Sequence, residues 1–562
     1  MNTQQYRDAV SRIRWSDEKR TRIESMLQSS ETIPLKNETD WEESSQNKTV
    51  AITRNNIGIS EEKHMKLTRT KRYMVLGLAA AVLATGGAVA SIAAHSNRKS
   101  DTLDITYKNG VTLHLTNEQQ EPFYSSQHFY QSLNRGADDS LRTITPVETG
   151  WVYWRPAEHP RNGHQNYILY YSDTETGESV PICARPDCEH DGSEKCVAST
   201  SIYEPSALTY HDGYLYSMTT KYLHPEKVTD PMPSEISSAD CKQVLLRYSA
   251  DGTGIKELCD FGYGKGNSRC YVSRGYVWCL VQIQNVREGK ENAFTNESET
   301  FRNGGWEIWG YELATGKAVP VYKAMPDEKY NQVNDTPAGF SVYGDYIYFS
   351  RQGADWSGSQ STLARISLLT GKEEAVLNSQ QNIGCFSGTQ TLFFTGSEDR
   401  FAVKNLKTLA ESRTVNLREL IKKTVQKKIC TSPSLIDDRY VYIRSNYYNS
   451  EDLNGPDAEK EGRRLTVLTP DLDIVSTFYL PQFLAPMESD EEDEIYDYDV
   501  PVFYVNDCIC VYRDRLYYIE AGWGSSTVEN DTINALHCVV SSCALDDITA
   551  ADNPEFRIEF SY

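Results

Sequence analysis

The chain has 562 residues and a formal net charge of −22, from 57 Lys and Arg against 79 Asp and Glu. This acidity excludes a typical nucleic-acid-binding protein, because such proteins need a basic surface to neutralise phosphates. A mean hydropathy of −0.56 excludes a protein built mainly from membrane-spanning helices. The unusual feature is the aromatic content of 11%, with 36 Tyr and 9 Trp, which favours β-structure.

The N-terminal part divides into three segments. Residues 1–28 have the helical periodicity of a small head made of two short helices. Residues 29–72 are polar and end in a basic cluster, which predicts a disordered linker. Residues 73–94 then form an uncharged, mostly apolar run, YMVLGLAAAVLATGGAVASIAA. A helix of that length crosses about 30 Å of hydrocarbon, so the run predicts one transmembrane helix.

The charges around the predicted span indicate its orientation. Five basic residues lie within 63–72, whereas the stretch after the span has only Arg98, Lys99 and Lys108 nearby. The positive-inside rule therefore predicts a cytoplasmic N-terminus and an exterior C-terminal part in the cell membrane. Residues 1–72 have 14 basic and 11 acidic residues, leaving 43 basic and 68 acidic residues for the exterior part. All 13 cysteines also follow the span, where disulfides are permitted.

The head resembles a known class of regulator. The segment YRDAVSRIRWSDEKRTRIESML (Tyr6–Leu27), with a linker, one span and a large exterior domain behind it, resembles membrane-bound anti-sigma-type regulators of Gram-positive bacteria. The resemblance covers little more than the head, which lacks the Cys/His zinc signature of some such proteins. It implies that the head binds a cytoplasmic sigma factor or another regulator. The alternative is a head that only anchors the chain.

A short motif recurs seven times after residue 148. Each instance is a turn followed by a strand with alternating aromatic side chains, which is typical of a strand with one buried face. The instances are TGWVYW (149–154), DGYLYS (212–217), RGYVWC (274–279), GDYIYF (344–349), TQTLFF (389–394), DRYVYI (438–443) and DRLYYI (514–519). A strand–turn–strand pattern follows each instance except the last. Two hairpins per unit give the four strands of a propeller blade.

The repeats predict an all-β fold, a β-propeller of about seven four-stranded blades over residues 148–562. Large Tyr and Trp rings are expected to fill the interfaces between the blades. Residues 95–147 are predicted to form a stalk or hairpin and a lead-in, with a hairpin turn at Asn109-Gly110. Phe556–Tyr562 is predicted to be the closing strand. YSADGTGIKEL (Tyr248–Leu258) and the DGYLY-type motifs resemble the TolB-like propellers of secreted clostridial proteins of unknown function, which implies an architecture and no particular activity.

The segment PICARPDCEHDGSEKC contains the most specific chemical pattern. Cys183, Cys188, His190 and Cys196 offer three thiols and an imidazole, the ligand set of a tetrahedral zinc ion. Outside the cell, two of these cysteines could instead form a disulfide that fastens a blade loop. The sequence leaves a structural zinc site and a disulfide loop as alternatives. Neither is catalytic, because a fully ligated zinc has no open position for water.

These features predict a protein that binds or senses an extracytoplasmic ligand or protein at the cell envelope, coupled through its head to a cytoplasmic regulator. The sequence contains no G-x-S-x-G or H-E-x-x-H motif, so we do not expect an enzyme. No cofactor is expected, apart from the structural zinc that is one of the two alternatives for the Cys/His residues. The alternatives are a non-signalling envelope scaffold or a carbohydrate- or peptide-binding module. An extracytoplasmic hydrolase or lyase is the least supported interpretation.

Overall fold

The fold is known from a computed structural model. It describes residues 102–125, 144–156, 167–190, 196–199, 202–203, 206–224, 240–264, 270–286, 301–324, 337–352, 361–377, 381, 383–395, 400–422, 428–448, 460–483, 505–528, 531–550 and 554–561. The predicted head (1–28), linker (29–72) and transmembrane helix (73–94) lie outside these residues. Within the described residues, no helix combines the length and the apolar character needed to cross a membrane.

The described strands form seven antiparallel sheets of four or five strands in the order of the chain, which is a seven-bladed β-propeller. Blade 1 contains β4 (Thr145–Pro146), β5 (Gly150–Pro156), β6 (Tyr167–Asp173) and β7 (Ser179–Pro181). Blade 2 contains β8 (Thr209–His211), β9 (Tyr214–Tyr222), β10 (Cys241–Ser249) and β11 (Ile255–Tyr263). Blade 3 contains β12 (Cys270–Ser273), β13 (Tyr276–Val286), β14 (Phe301–Glu312) and β15 (Ala318–Ala324). Blade 4 contains β16 (Pro337–Tyr343), β17 (Tyr346–Gln352), β18 (Ser361–Ser367) and β19 (Glu373–Ala375).

The last three blades carry the two described helices. Blade 5 contains β20 (Ile383–Phe386), β21 (Gln390–Phe394), β22 (Arg400–Asn405) and β23 (Val415–Asn416), and α1 (Leu417–Lys422) follows it. Blade 6 contains β24 (Lys428–Ile436), β25 (Val441–Tyr448), β26 (Lys460–Leu468) and β27 (Ile474–Tyr479). Blade 7 contains β28 (Val505–Tyr512), β29 (Arg515–Val528), β30 (Asp531–Ala544), α2 (Leu545–Ala550) and β31 (Arg557–Ser561).

The seven sequence motifs are the second strands of the seven blades, so the repeat prediction is confirmed. Their turn residues have a physical role. Asp212 and Gly213 have φ values of 48° and 77° and join β8 to β9 in a two-residue loop. Positive φ at both positions gives the hairpin turn whose twist matches that of the strands.

Two details of the prediction are wrong. The last motif is also followed by two strands, β30 and β31, and α2 between them hides the strand–turn–strand pattern. Within the predicted closing strand Phe556–Tyr562, residues Arg557–Ser561 form β31, which is an outer strand of blade 7 and does not close the ring. The additional strand of blade 7 comes from the other end of the propeller, because β3 (Phe123–Ser125) pairs with β28.

The core of the propeller consists of clusters between neighbouring blades. Trp151 of blade 1 packs on Tyr517 of blade 7, with ring centroids 4.6 Å apart. Tyr348 of blade 4 packs on Phe386 of blade 5 at 5.0 Å. Edge-to-face pairs of this kind add to the burial of large apolar surfaces. The expectation that aromatic rings fill the interfaces is confirmed.

A separate hairpin packs against blades 3 and 4. It is formed by β1 (Leu103–Thr106) and β2 (Thr112–Leu115), with the predicted turn at Gly110, whose φ is 85°. Tyr107 is buried in the same cluster as blades 3 and 4, and its hydroxyl donates to the Leu368 carbonyl at 2.8 Å. The hairpin is therefore attached to blades 3 and 4.

Candidate functional site

A cavity of about 350 Å³ lies where the blades converge, and we call it the axial cavity. Residues in or beside the first strands of six blades line it, namely those of blades 1, 2, 3, 4, 5 and 7. Its aromatic lining residues are Phe123, Tyr124, Tyr210, Tyr271, Phe340, Tyr343, Phe386 and Tyr512. A concave, aromatic-rich site with a few polar groups has the character of a small-molecule site.

One wall of the axial cavity is a segment that precedes the propeller. We call residues Thr116–Ser125, which include β3, the strap. The strap first runs along blade 3, where the Thr116 amide donates to the Arg274 carbonyl at 3.0 Å. Next to this bond, Gln119 forms an antiparallel bridge with Ser273. The strap therefore adds backbone pairing to the innermost edge of a blade.

Further contacts attach the strap to blades 2 and 7. Glu118 lies 3.7 Å from the His211 ring nitrogen in blade 2. Glu121 accepts a hydrogen bond from the Tyr512 hydroxyl at 3.0 Å and pairs with the Arg513 guanidinium at 3.1 Å. The strap thus joins blades 2, 3 and 7, and its contact from Glu121 to Tyr512 spans 391 positions of the chain.

The lining of the axial cavity is acidic. Four carboxylates line it, from Glu118, Glu121, Glu148 and Asp212. Among the described lining residues, Arg513 is the only arginine or lysine. Burial, reinforced by Glu121, raises the pKa of Tyr512 to about 12. The phenol therefore stays protonated at physiological pH and remains a hydrogen-bond donor. Rings for stacking and carboxylates for accepting hydrogen bonds suit a ligand that is rich in hydroxyl or amino groups.

The sequence-predicted Cys/His residues come together at a different place. We call Cys183, Cys188, His190 and Cys196 the Cys/His cluster. Their ligand atoms all lie within 4.8 Å of one another, and His190 Nδ1 is 3.7 Å from Cys196 Sγ. Cys183 and Cys196 are buried, and the other two are half-buried. The three sulfurs are not joined by a disulfide.

Within the Cys/His cluster, the pKa values of two cysteines are shifted in opposite directions. A hydrogen bond from the Cys196 thiol lowers the pKa of Cys183 well below its usual value. The same hydrogen bond, followed by burial, raises the pKa of Cys196. The two shifts have opposite directions because Cys183 and Cys196 share one hydrogen bond. None of its members lines the axial cavity, so the described part of the chain contains two separate candidate sites.

Comparison with known proteins gives distant structural similarity only. No protein-family model and no curated protein sequence matches the chain. Among solved structures, the β-propeller domain of the Trilobed protease from Pyrococcus furiosus, described as having an open velcro topology, has a TM-score of 0.36 and 8% identity over 72% of this chain and 96% of its own. TolB from Acinetobacter baumannii has a TM-score of 0.23 and 9% identity over 72% and 76%.

An acylaminoacyl peptidase from Pyrococcus horikoshii is also similar, with a TM-score of 0.32 and 9% identity. The match covers 69% of this chain and 58% of the peptidase, so the chain spans little more than half of that protein. At these scores the similarities carry no conclusion about activity. The propeller is established by the strand pairing described above, and the expectation that the chain is not an enzyme stays a prediction.

The sequence did not reveal the strap or the residues that line the axial cavity. The strap has the sequence TNEQQEPFYS, with no periodicity that marks a strand. Its pairing with β28 depends on residues far away in the chain, and no local pattern encodes such a contact. The Cys/His cluster was found because its ligands are close in sequence.

Proposed function

We propose that the protein is anchored in the membrane by residues 73–94 and binds a small envelope ligand in the axial cavity of an exterior propeller. Ligand binding changes the position of the strap, and this change is transmitted to the cytoplasmic head, which binds a sigma factor or another regulator. The supporting observation is the position of the strap. It forms a wall of the axial cavity, and in the sequence it follows the predicted span after only a short stretch that contains the β1–β2 hairpin.

The strap is suited to respond to a ligand because its attachments are polar and lie at the cavity. Glu118 and Glu121 both line the cavity and both make contacts with the blades. A ligand that binds these carboxylates competes with His211 and Arg513 for them. Because a ligand shifts an equilibrium by its differential affinity for two states, such competition changes the position of the strap.

The lining of the axial cavity supports a saccharide or a short peptide as the ligand. Tyr210 and Tyr343 line the cavity and are half-buried, so part of each aromatic side chain is available for stacking. The carboxylates accept hydrogen bonds from sugar hydroxyls or from amino groups. The same observation supports the second candidate, a binding module whose head is inert. The two differ only in whether residues 1–72 have a partner.

If a ligand binds in the axial cavity, it is expected to raise the stability of the folded protein. A bulky side chain introduced into the cavity wall is expected to abolish this gain. With purified full-length chain, a panel of oligosaccharides and short peptides released from bacterial cell wall is expected to contain members that raise the thermal unfolding temperature. A ligand at a hundred times its Kd stabilises the folded state by about 2.7 kcal/mol. Ser341→Trp places an indole in the cavity wall and is expected to remove this shift.

The matched control is Ala314→Trp, which adds the same side chain to an exposed turn between β14 and β15. This variant should keep the full shift. A shift that persists in Ser341→Trp, or the failure of both ligand classes to bind the wild-type chain, contradicts the proposal.

A further inference from the structure

The geometry of the Cys/His cluster matches a metal site better than a disulfide. In a tetrahedral zinc site with Zn–S bonds of about 2.3 Å and a Zn–N bond of about 2.0 Å, sulfur and nitrogen are about 3.5 Å apart. Cys196 Sγ and His190 Nδ1 are 3.7 Å apart, and all four ligand atoms lie within 4.8 Å of one another. A disulfide needs two sulfurs at about 2.05 Å and would leave the third thiol and the imidazole unused.

The backbone around the cluster is arranged to stabilise thiolates. Backbone groups two residues further along the chain lower the pKa of each cysteine: Arg185 acts on Cys183, His190 on Cys188 and Ala198 on Cys196. Hydrogen bonds to an anionic acceptor are stronger than those to a neutral thiol. Outer hydrogen bonds of this kind hold metal ligands in position.

The conformation of His190 adds to this arrangement. Its φ is 54°, in the left-handed region that residues other than glycine seldom occupy. Such backbone conformations persist where the surroundings hold them, often at binding sites. Here the turn brings the imidazole to the buried Cys196 sulfur.

The cluster sits in the connection between blade 1 and blade 2 and contacts both. The Ala184 amide donates to the Gly252 carbonyl, in the turn between β10 and β11 of blade 2, at 2.9 Å. Gly252 has a φ of 74°, and a Cβ there would lie 2.8 Å from the Cys183 nitrogen. On the other side, the Leu169 amide of β6 donates to the Ala198 carbonyl at 2.9 Å.

From this geometry we propose that Cys183, Cys188, His190 and Cys196 bind one zinc ion that fastens the connection between blades 1 and 2. Three thiolates and one imidazole complete a tetrahedron, so the site is closed and structural. Soft thiolate ligands select zinc over the hard cations magnesium and calcium. The site lies apart from the axial cavity, and this inference does not depend on the proposed function.

The direct test measures zinc in the full-length chain purified without added metal. Elemental analysis is expected to give one zinc per chain, and zinc K-edge absorption is expected to show three sulfurs at about 2.3 Å and one nitrogen at about 2.0 Å. A disulfide between two of the three cysteines, found by mass spectrometry, overturns the proposal. So does a metal-free chain that fails to compete with a chromophoric chelator for added zinc.

Matched variants separate this site from adventitious zinc. Cys188→Ser removes a half-buried ligand, whereas Cys259→Ser removes a half-buried cysteine from the outer strand of blade 2. We expect Cys188→Ser to lose its zinc and Cys259→Ser to keep one equivalent. A chelator should lower the unfolding temperature of the wild type and of Cys259→Ser. Equal zinc in both variants contradicts the assignment, and the wild-type spectrum decides the question even if Cys188→Ser does not fold.

Discussion

Replacing Asp507 with alanine is expected to destabilise the propeller by about 3–5 kcal/mol, the usual cost of removing one partner from a buried ion pair. The Asp507 side chain is 9% exposed and lies at the interface of blades 6 and 7. It accepts hydrogen bonds from Arg444 at 2.6 Å and from the Tyr518 hydroxyl at 3.1 Å, and it pairs with Arg463 at 2.9 Å. The variant leaves two guanidinium groups in the interface without their shared carboxylate.

The control for this variant is Asp514→Ala. Asp514 pairs with Arg439 at 3.1 Å, but its side chain is 95% exposed. An ion pair in water contributes about 0–1 kcal/mol, so this variant should unfold almost like the wild type. Urea unfolding of the full-length chain measures both free energies. Similar losses for the two variants would show that Asp507 does not hold blades 6 and 7 together.

Replacing Trp278 with alanine is expected to cost about 3–5 kcal/mol, because it removes a fully buried indole and leaves a cavity. Trp278 lies in β13 and belongs to the cluster that joins blades 3 and 4 with the β1–β2 hairpin. Its ring stacks on Tyr276 with centroids 5.1 Å apart, and its indole nitrogen donates to the Ser273 carbonyl at 3.1 Å. A Cβ at Gly310 would lie only 2.9 Å from the Trp278 ring, so the indole packs closely against the neighbouring strand β14.

Trp309→Ala in the same blade is the matched variant. Trp309 is only half-buried and packs on Phe261 at 5.7 Å, so its loss should cost about 1–2 kcal/mol. The comparison uses the same substitution in neighbouring strands of one sheet. A loss at Trp309 equal to that at Trp278 would contradict the assignment of Trp278 to the shared core.

The local pattern predicted the second strands of the blades because those strands are long, alternate in side-chain type and follow a marked turn. TGWVYW and DGYLYS correspond to β5 and β9, whose side chains pack between blades. The first strand of blade 1 has only the two residues Thr145–Pro146 and is too short to carry a period. Such strands are defined by their hydrogen-bonded neighbours, which the local sequence does not specify.

The closure of the ring could not be predicted for a related reason. β3 and β28 are separated by nearly the whole propeller, and their pairing places Phe123 opposite Tyr512. The sequence favoured Phe556–Tyr562 as the closing strand because that segment stands at the end of the repeats. The axial cavity depends on the same long-range pairing, since the strap forms one of its walls.

The Cys/His cluster was predicted because its four residues fall within 14 positions of the chain, from Cys183 to Cys196. Spacing alone allowed both a metal and a disulfide. The choice between them depends on three-dimensional relations that the sequence does not contain. These are the distance between Cys196 and His190, the placement of all four ligand atoms within 4.8 Å of one another, and the contact with Gly252.

The measurement that tests the proposed arrangement most directly is the labelling of single added cysteines in intact cells with a membrane-impermeant maleimide. Ser45→Cys lies in the linker before the predicted span, and Ala314→Cys lies in an exposed turn of blade 3. The wild type serves as the control for labelling of the native cysteines. Permeabilised cells show the labelling obtained when the maleimide reaches both sides of the membrane. We predict labelling of Ala314→Cys in intact cells and of Ser45→Cys only after permeabilisation. Equal labelling of both variants in intact cells, or of neither, contradicts a membrane-anchored protein with an exterior propeller.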